Sequence, residues 1–406
     1  MTKSVPTVTL SAQQQAALTK VGSWKKSRSS PFFMLAGFAG TGKTTIAKLL
    51  AADVGDPVYF AAYTGKAAHV LRRTGLENAC TIHQLIYTPR DKCEDHLRGL
   101  LHKRQKLATG IHVPDRDAKL ALLDLEIARE RQNLSRPEFT LNEESPLREA
   151  RLLVVDEYSM IDERTGRDLL SFGCPVLALG DPGQLPPISG RCFFDRSPDV
   201  MLTEIHRQAA ENPIIRMSKD VREGRSLRPG QYGSSHVIPR STLDGVGLAK
   251  LISSADQLLV GMNKTRIHFN AEIRKMRGHE STLPEPGDRL VCLRNNHDER
   301  LINGQIFTVK RSKPGRFIQL WLESEDGQRT ACVAHPDYFT GDPTKLLPGQ
   351  KKTANEFDYG YALTVHKAQG SQWDKVLLID EWYGRDRAKW LYTAITRTAE
   401  SITVLC

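Results

Sequence analysis

The chain has 406 residues, too many for one ordinary hydrophobic core, so two or more domains are expected. Its 40% hydrophobic and 26% charged residues are typical of a soluble globular protein, and no apolar run approaches the roughly 20 residues a membrane span needs. Lys plus Arg number 57 against 47 Asp plus Glu, a formal charge of +10 that favours a polyanionic partner such as nucleic acid, and seven scattered cysteines without a C-x-x-C pair exclude a zinc ribbon and a disulfide framework.

In chain order, Leu10 to Val21 reads as a helix with Ser11 as its N-cap. The amide of Gln14 can both accept from and donate to an adenine edge, although taken alone it is a surface residue. Gly22 to Pro31 is a basic, Ser-rich loop. The apolar residues Phe32 to Ala36 read as a buried parallel strand, and Ile46 to Ala52 as a helix. Between them Gly37 to Thr44 fits G-x-x-x-x-G-K-[ST], the phosphate-cradling P-loop. Glycines at 37, 40 and 42 let the backbone N–H groups of the Thr41–Thr45 stretch curl round phosphates at the positive end of a helix. Lys43 would neutralise the β- and γ-phosphates and the Thr44 hydroxyl would ligate Mg²⁺.

Val58 to Ala62 reads as a second parallel strand that delivers Thr64 and Lys66 to the ligand crevice of an open sheet. Thr81 to Leu85, with Thr81 and His83, carries small polar groups suited to phosphate contacts. From Thr88 to Pro146 the chain is highly charged but nearly balanced, with a basic cluster at Arg98, Lys103, Arg104 and Lys106. Leu120, Leu123, Ile127 and Leu134 fall on one helical face, which predicts an inserted subdomain, either a solvated excursion or a DNA-facing appendage. Leu152 to Asp156 is a further buried strand ending in two carboxylates. Beside a P-loop this is the Walker B arrangement, with Asp156 holding Mg²⁺ through water and Glu157 deprotonating the attacking water. Val176 to Leu179 delivers Gln184 to a position that can sense a γ-phosphate, and Arg207 follows, alone no more than a surface cation.

A second α/β unit opens with the strand Gln257 to Gly261, followed by Asn263, Arg266, Asn270 and Arg274. Asp288–Leu293, Gln305–Lys310, Phe317–Leu322 and Arg329–Val333 are short strands separated by Asn-Gly, Pro-Gly and Asp-Gly turns, which predicts a small antiparallel barrel inserted in this unit. The chain returns to α/β with Tyr361 to Gly370, a strand Lys375 to Ile379, a helix near Arg387–Ala399 and a last strand Ile402–Leu405.

The order of these motifs resembles superfamily 1 group B DNA helicases, the group of the exonuclease V alpha-subunit (RecD-like) and the phage Dda type. Leu10–Gln14 looks like the Q motif, Gly37–Thr45 like motif I, Thr64–Ala68 like Ia and Thr81–Leu85 like Ib. Asp156-Glu157 is similar to motif II, Gly180–Pro187 to III, Leu202–Gln208 to IV, Tyr361–Ser371 to V and Tyr392–Arg397 to VI. The resemblance covers nearly the whole chain and implies an α/β fold of two RecA-like P-loop domains, with ATP and Mg²⁺ between them. It places a charged helical insertion in the first domain and an SH3-like β-barrel in the second. The implied boundaries are 1–87 and 147–197 for domain 1A, 88–146 for insertion 1B, 198–276 and 353–406 for domain 2A, and 277–352 for insertion 2B.

The same resemblance makes Gln14, Arg207, Gly370 and Arg397 nucleotide contacts, and Thr64, Lys66, Thr81, His83, Asn263, Arg266, Val365 and His366 contacts to nucleic acid. The segment between motifs Ib and II matches no family feature, so a strand-separating pin cannot be named, and no nuclease motif is recognisable. The reading that results is an ATP-dependent 5′→3′ helicase acting on single-stranded and forked DNA. A monomer in a bacterial cytoplasm is expected, phage-encoded origin being open, with a single-strand-binding or replication protein as candidate partner. The alternatives are a DNA-stimulated ATPase that translocates without unwinding, and a helicase-like subunit of a recombination nuclease complex.

Overall fold

A computed structural model describes residues 10–52, 57–76, 78–90, 95–109, 115–135, 138–188, 190–204, 212–296, 298–341, 346 and 348–406. The chain forms two compact units, one of Met1–Ile86, Glu143–Arg277 and Gly360–Cys406, the other of Tyr87–Asn142 and Gly278–Tyr359.

The first unit holds two six-stranded sheets. The first sheet is parallel throughout, in the order Cys80–Thr81, Val58–Ala62, Leu152–Asp156, Val176–Gly180, Phe32–Gly37, Val200–Leu202. Its central strands are continuous apolar runs buried on both faces, so no alternation is needed. One covering helix, Ala12–Ser27, is closed at its start by a capping box in which Ser11 and Gln14 satisfy each other's backbone N–H. Its Ala17, Val21 and Trp24 form one buried stripe against the sheet.

The second sheet runs Ala362–Thr364, Gln257–Val260, Trp373–Ile379, Thr398–Leu405, Ser235–Ile238, Gly230–Tyr232, parallel except for the last pair. Its Ala362 edge is closed by a side chain: Ala362 N–H donates to Asn270 Oδ1 at 2.8 Å, and Asn270 Nδ2 donates to Ala362 O at 3.3 Å. Gln257 Nε2 likewise donates to Tyr361 O at 3.0 Å.

In the second unit, helices Asp95–Thr109 and Arg116–Ser135 pack through Leu97, Leu100 and Ile127, and the strands that flank them in the chain, Tyr87–Arg90 and Glu138–Leu141, pair antiparallel. Leu123 joins this small cluster, while Leu122 and Leu125 stay exposed. A five-stranded antiparallel sheet follows the order Arg329–Ala334, Ile318–Ser324, Ile306–Lys313, Arg289–Cys292, Phe357–Tyr359. In Ile318–Ser324 every second residue is buried, the period of a sheet with one dry face. The fifth strand corrects the sequence reading, which resumes domain 2A at 353; Phe357–Tyr359 pairs instead with Arg289–Cys292. Three residues are too few to carry a readable alternation. No helix among the described residues is long and apolar enough to cross a membrane.

Gly180, the last residue of its strand, is packed so closely that a Cβ would lie 2.5 Å from Tyr158 Cδ1. Gly180→Ala should therefore destabilise the protein by about 1–3 kcal/mol, the cost of overpacking. Gly22, in the first helix, has no atom of the described residues within 4 Å of such a Cβ, and Gly22→Ala should stabilise by about 0.5–1 kcal/mol. Urea denaturation midpoints against the parent protein check the pair; a Gly180→Ala midpoint equal to the parent's would show that Tyr158 moves aside at no cost.

Candidate functional site

The strand Phe32–Gly37 and the helix Lys43–Ala52 are joined by a loop whose Gly40 and Gly42 take φ of 79° and 78°, a left-handed backbone open mainly to glycine. Gly37 is required for space, since its Cβ would lie 2.5 Å from Thr41 Oγ1 and 2.9 Å from Leu202 Cβ. Thr41 Oγ1 donates to Phe38 O at 2.8 Å, and Lys43 Nζ donates to Gly37 O at 2.6 Å and Phe38 O at 3.1 Å. The ammonium is thus held inside the loop by its carbonyls. Thr44 and Thr45 are half-buried at the start of the helix. Gln14 supports the loop from behind: it is buried, and its Nε2 donates to Thr41 O at 3.0 Å.

Asp156 ends its strand with Oδ1 accepting from Glu157 N–H at 2.9 Å. Burial, then the neighbouring charge of Glu157, push the Asp156 carboxyl up to about 6, against the pull of Lys43 and Arg397. Glu157 has a φ of 56°, a left-handed conformation that costs a non-glycine residue about 1–3 kcal/mol and is typical of functional turns. Its Oε1 lies 3.9 Å from Arg397 Nη1. Beyond the next strand, Asp181 is fully buried and accepts from Gly183 N–H at 2.9 Å and from the Tyr392 hydroxyl at 2.5 Å. Burial raises its pKa. Gln184 is also buried, and its Oε1 has no hydrogen-bond partner among the described residues. Such an orphan acceptor costs about 1–3 kcal/mol, a cost that a ligand-bound water would lift. The glycine cradle, Lys43, Thr44, the paired carboxylates and this orphan acceptor together fit a magnesium nucleotide.

The second sheet supplies the facing wall. Arg397 is buried, with Nε donating to Thr393 O at 3.2 Å and Nη1 to Ser371 O at 3.4 Å. Leu185, just past Gln184, is held at both backbone groups: its N–H donates to Thr393 Oγ1 at 3.0 Å, and its carbonyl accepts from Gln369 Nε2 at 3.3 Å. The Arg222 guanidinium lies 3.4 Å from the centre of the Phe38 ring in the P-loop. Arg207 lies outside the described residues. Gly370, implied as a nucleotide contact, packs on the start of helix Gly65–Arg73, where its Cβ would lie 2.7 Å from Thr64 Oγ1.

Among the nucleic-acid candidates, Thr64 caps that helix by accepting from Ala67 N–H at 3.2 Å, and Lys66 Nζ stands 4.8 Å from the Trp373 ring. The His83 ring lies edge-on to Tyr63 at 5.9 Å, and the His366 ring lies edge-on to Trp382 at 5.7 Å. Burial lowers the pKa of both histidines, so both are neutral at physiological pH. Asn263 is exposed at the start of helix Asn263–Met276 and accepts from the buried Arg266 at 3.3 Å. Two further candidates have buried side chains. The Val365 side chain is fully buried and its N–H continues the sheet to Val260 O at 3.0 Å, so no side-chain contact to a strand of nucleic acid is open to it. Thr81 is buried as well, its hydroxyl paired with Gln84 Oε1 at 3.1 Å.

Sequence reasoning missed Gln13, whose Oε1 accepts from Thr203 N–H at 2.8 Å and Glu204 N–H at 2.9 Å, tying the first helix to the segment that leads to Arg207. It also gave no role to Tyr392 or Arg222. Both act through tertiary neighbours far away in sequence, for which local spacing carries no signal.

A family model for the AAA domain matches residues 9–238, and one for the UvrD-like helicase C-terminal domain matches residues 359–405. The chain belongs to the AAA-domain family described by the first of these, and its likeness to RecD-like superfamily 1 helicases stands. It is 25% identical over 395 residues to the ATP-dependent RecD2 DNA helicase of Deinococcus radiodurans, covering 90% of this chain and 46% of that protein. It is 24% identical over 313 residues to the conjugal transfer protein TraA of Agrobacterium fabrum, covering 69% of this chain and 27% of that protein. The chain thus spans less than half the length of these curated relatives. Its fold matches the Pif1 helicase of Candida albicans at a TM-score of 0.53 and 19% identity, covering 98% of this chain and 94% of that one. It also matches a Bacteroides Pif1 bound to ssDNA at 0.52 and 16%, covering 98% and 92%.

The raised Asp156 pKa has a consequence for stability. A carboxyl whose pKa rises on folding contributes stability that is full below its unfolded value of 3.8 and is lost as pH climbs through about 6. Asp156→Asn keeps an acceptor for the Glu157 N–H and removes the ionisation. Without Mg²⁺ or nucleotide it should melt several degrees above the parent protein at neutral pH and level with it near about pH 4. Thermal melts at the two pH values check this, and a mutant equally destabilised at both would contradict it.

Proposed function

We propose that the chain is an ATP-dependent motor that moves 5′→3′ along single-stranded DNA and unwinds duplex DNA. The observation that carries the reading is the two-sided site: P-loop and paired carboxylates on one sheet, Arg397 on the other, with Glu157 and Arg397 only 3.9 Å apart. A site assembled from two sheets couples phosphate chemistry to their separation, which is what a motor needs.

Lys43 and the loop N–H groups bind and orient the phosphates. Thr44 and Asp156 would hold Mg²⁺, which when bound supplies charge neutralisation at the phosphate oxygens. Glu157 orients and deprotonates the attacking water, Gln184 positions it, and Arg397, with Arg207, balances charge developing on the phosphate. In this reading the two sheets are the cores of RecA-like domains 1A and 2A, the charged helix pair is insertion 1B, and the five-stranded sheet is an SH3-like insertion 2B. Single-stranded DNA runs past Thr64, Lys66, His83, Asn263, Arg266 and His366, at or near the carboxyl ends of parallel strands, where open sheets bind ligands. The RecD2 relative is named an ATP-dependent DNA helicase and the Bacteroides Pif1 neighbour was solved with ssDNA, which supports DNA as the track. The formal charge of +10 agrees. Opening each base-pair step costs about 0.6–2.2 kcal/mol, within reach of one nucleotide hydrolysed per step. The 5′→3′ direction rests on the wording of Leu363–Gly370, which is similar to the RecD-like group rather than to UvrD-like motors.

Glu157→Gln should retain nucleotide binding while turnover falls by about a hundredfold or more, the scale of a lost general base; near-normal hydrolysis would take Glu157 out of that role. Direction is checked with duplexes bearing one single-stranded tail. Strand separation is expected from a 5′ tail and not from a 3′ tail. ATP hydrolysis stimulated by DNA with no strand separation from either tail would identify a translocase.

A further inference from the structure

The Tyr392 hydroxyl sits where three parts of the site meet. It donates to Asp181 Oδ2 at 2.5 Å and accepts from Ala39 N–H at 3.2 Å. The ring is buried and fits closely against the turn after Asp181, since a Cβ on Gly183 would lie 3.0 Å from its Cε1. Ala39 lies in the P-loop, just ahead of the Thr41–Thr45 stretch whose N–H groups would curl round phosphate. Asp181 belongs to the turn that carries Gln184, and its other oxygen is held by Gly183 N–H at 2.9 Å. Tyr392 itself lies on helix Arg387–Ile395, which leads directly into Arg397, and the next residue, Thr393, holds Leu185. One hydroxyl therefore ties the phosphate cradle to the Gln184 turn and to the helix that carries the arginine.

We infer that Tyr392 is a positioning residue that registers Arg397 against the nucleotide loop through the chain Ala39 N–H, Tyr392 hydroxyl, Asp181 carboxylate. A phosphate oxygen reaching Ala39 N–H competes with the hydroxyl for that amide, while Asp181 continues to accept the hydroxyl proton. Loading of the cradle is felt on the arginine helix through this exchange of acceptors. Phenylalanine would fill the same space but could neither accept from Ala39 nor donate to Asp181. The inference rests on the ATPase reading above for its kinetic consequence, but not for its structural one.

The test is Tyr392→Phe, read first without nucleotide. Amide hydrogen exchange should quicken in the peptides spanning Gly37–Lys43 and Asp181–Leu185 and not across the rest of the chain. In steady-state ATP hydrolysis kcat should fall by about tenfold or more with KM for ATP within about threefold, the signature of an interaction needed beyond ground-state binding. Asp181→Asn and the double mutant complete a cycle: if the two groups act as one chain, the double mutant is no worse than the poorer single. Unchanged exchange at Gly37–Lys43, exchange that quickens uniformly along the chain, wild-type kcat, or additive losses in the cycle would each overturn the inference. A parent protein without any ATPase activity would instead remove the proposed function, leaving the exchange result to stand or fall by itself.

Discussion

Charges held out of water at the seam between two sheets are the constraint around which the first unit is arranged. Asp181 is fully buried and Arg397 and Gln184 nearly so, with Lys43 and Asp156 beside them. A buried charge costs several kcal/mol unless it is paired and hydrogen-bonded. Each charged group has a specific answer. Lys43 is held by two loop carbonyls, Asp181 by a tyrosine hydroxyl and a backbone N–H, and Arg397 by two carbonyls and the facing Glu157. These answers come from both sheets, so neither wall is electrostatically complete without the other. The raised pKa of Asp156 comes first from burial and then from the charge of Glu157 in the same corner.

What was legible in the sequence was local. The P-loop reads directly because glycine spacing, lysine and strand–helix context lie within one turn of chain, and the left-handed Gly40 and Gly42 follow from that spacing. Asp156-Glu157 reads for the same reason, as does the antiparallel sheet, whose Gly304 and Gly327 turns take the positive φ that its Asn-Gly and Asp-Gly pairs announce.

The rest was set by tertiary packing. Val365 and Thr81 lie at strand ends, where a crevice is expected, yet their side chains turn into the core; spacing cannot tell which face covers such a residue. Gln13 and Gln14 are neighbours in one polar run, and only the fold sends one to Thr203 and the other to the P-loop. Phe38 is an arbitrary residue within the P-loop pattern until Arg222, from another helix, is laid across its ring.

The grip on Leu185 decides how the seam can give way. One peptide segment is held through its N–H by Thr393 and through its carbonyl by Gln369, both from the opposite sheet. Hydrogen bonds weaken steeply once the donor–acceptor distance passes about 3.5 Å, and both bonds already lie within 0.5 Å of that limit. A small parting of the walls therefore releases both together, and an equally small return restores both. Such a joint would act as a detent, with a seated position and a released one and little between.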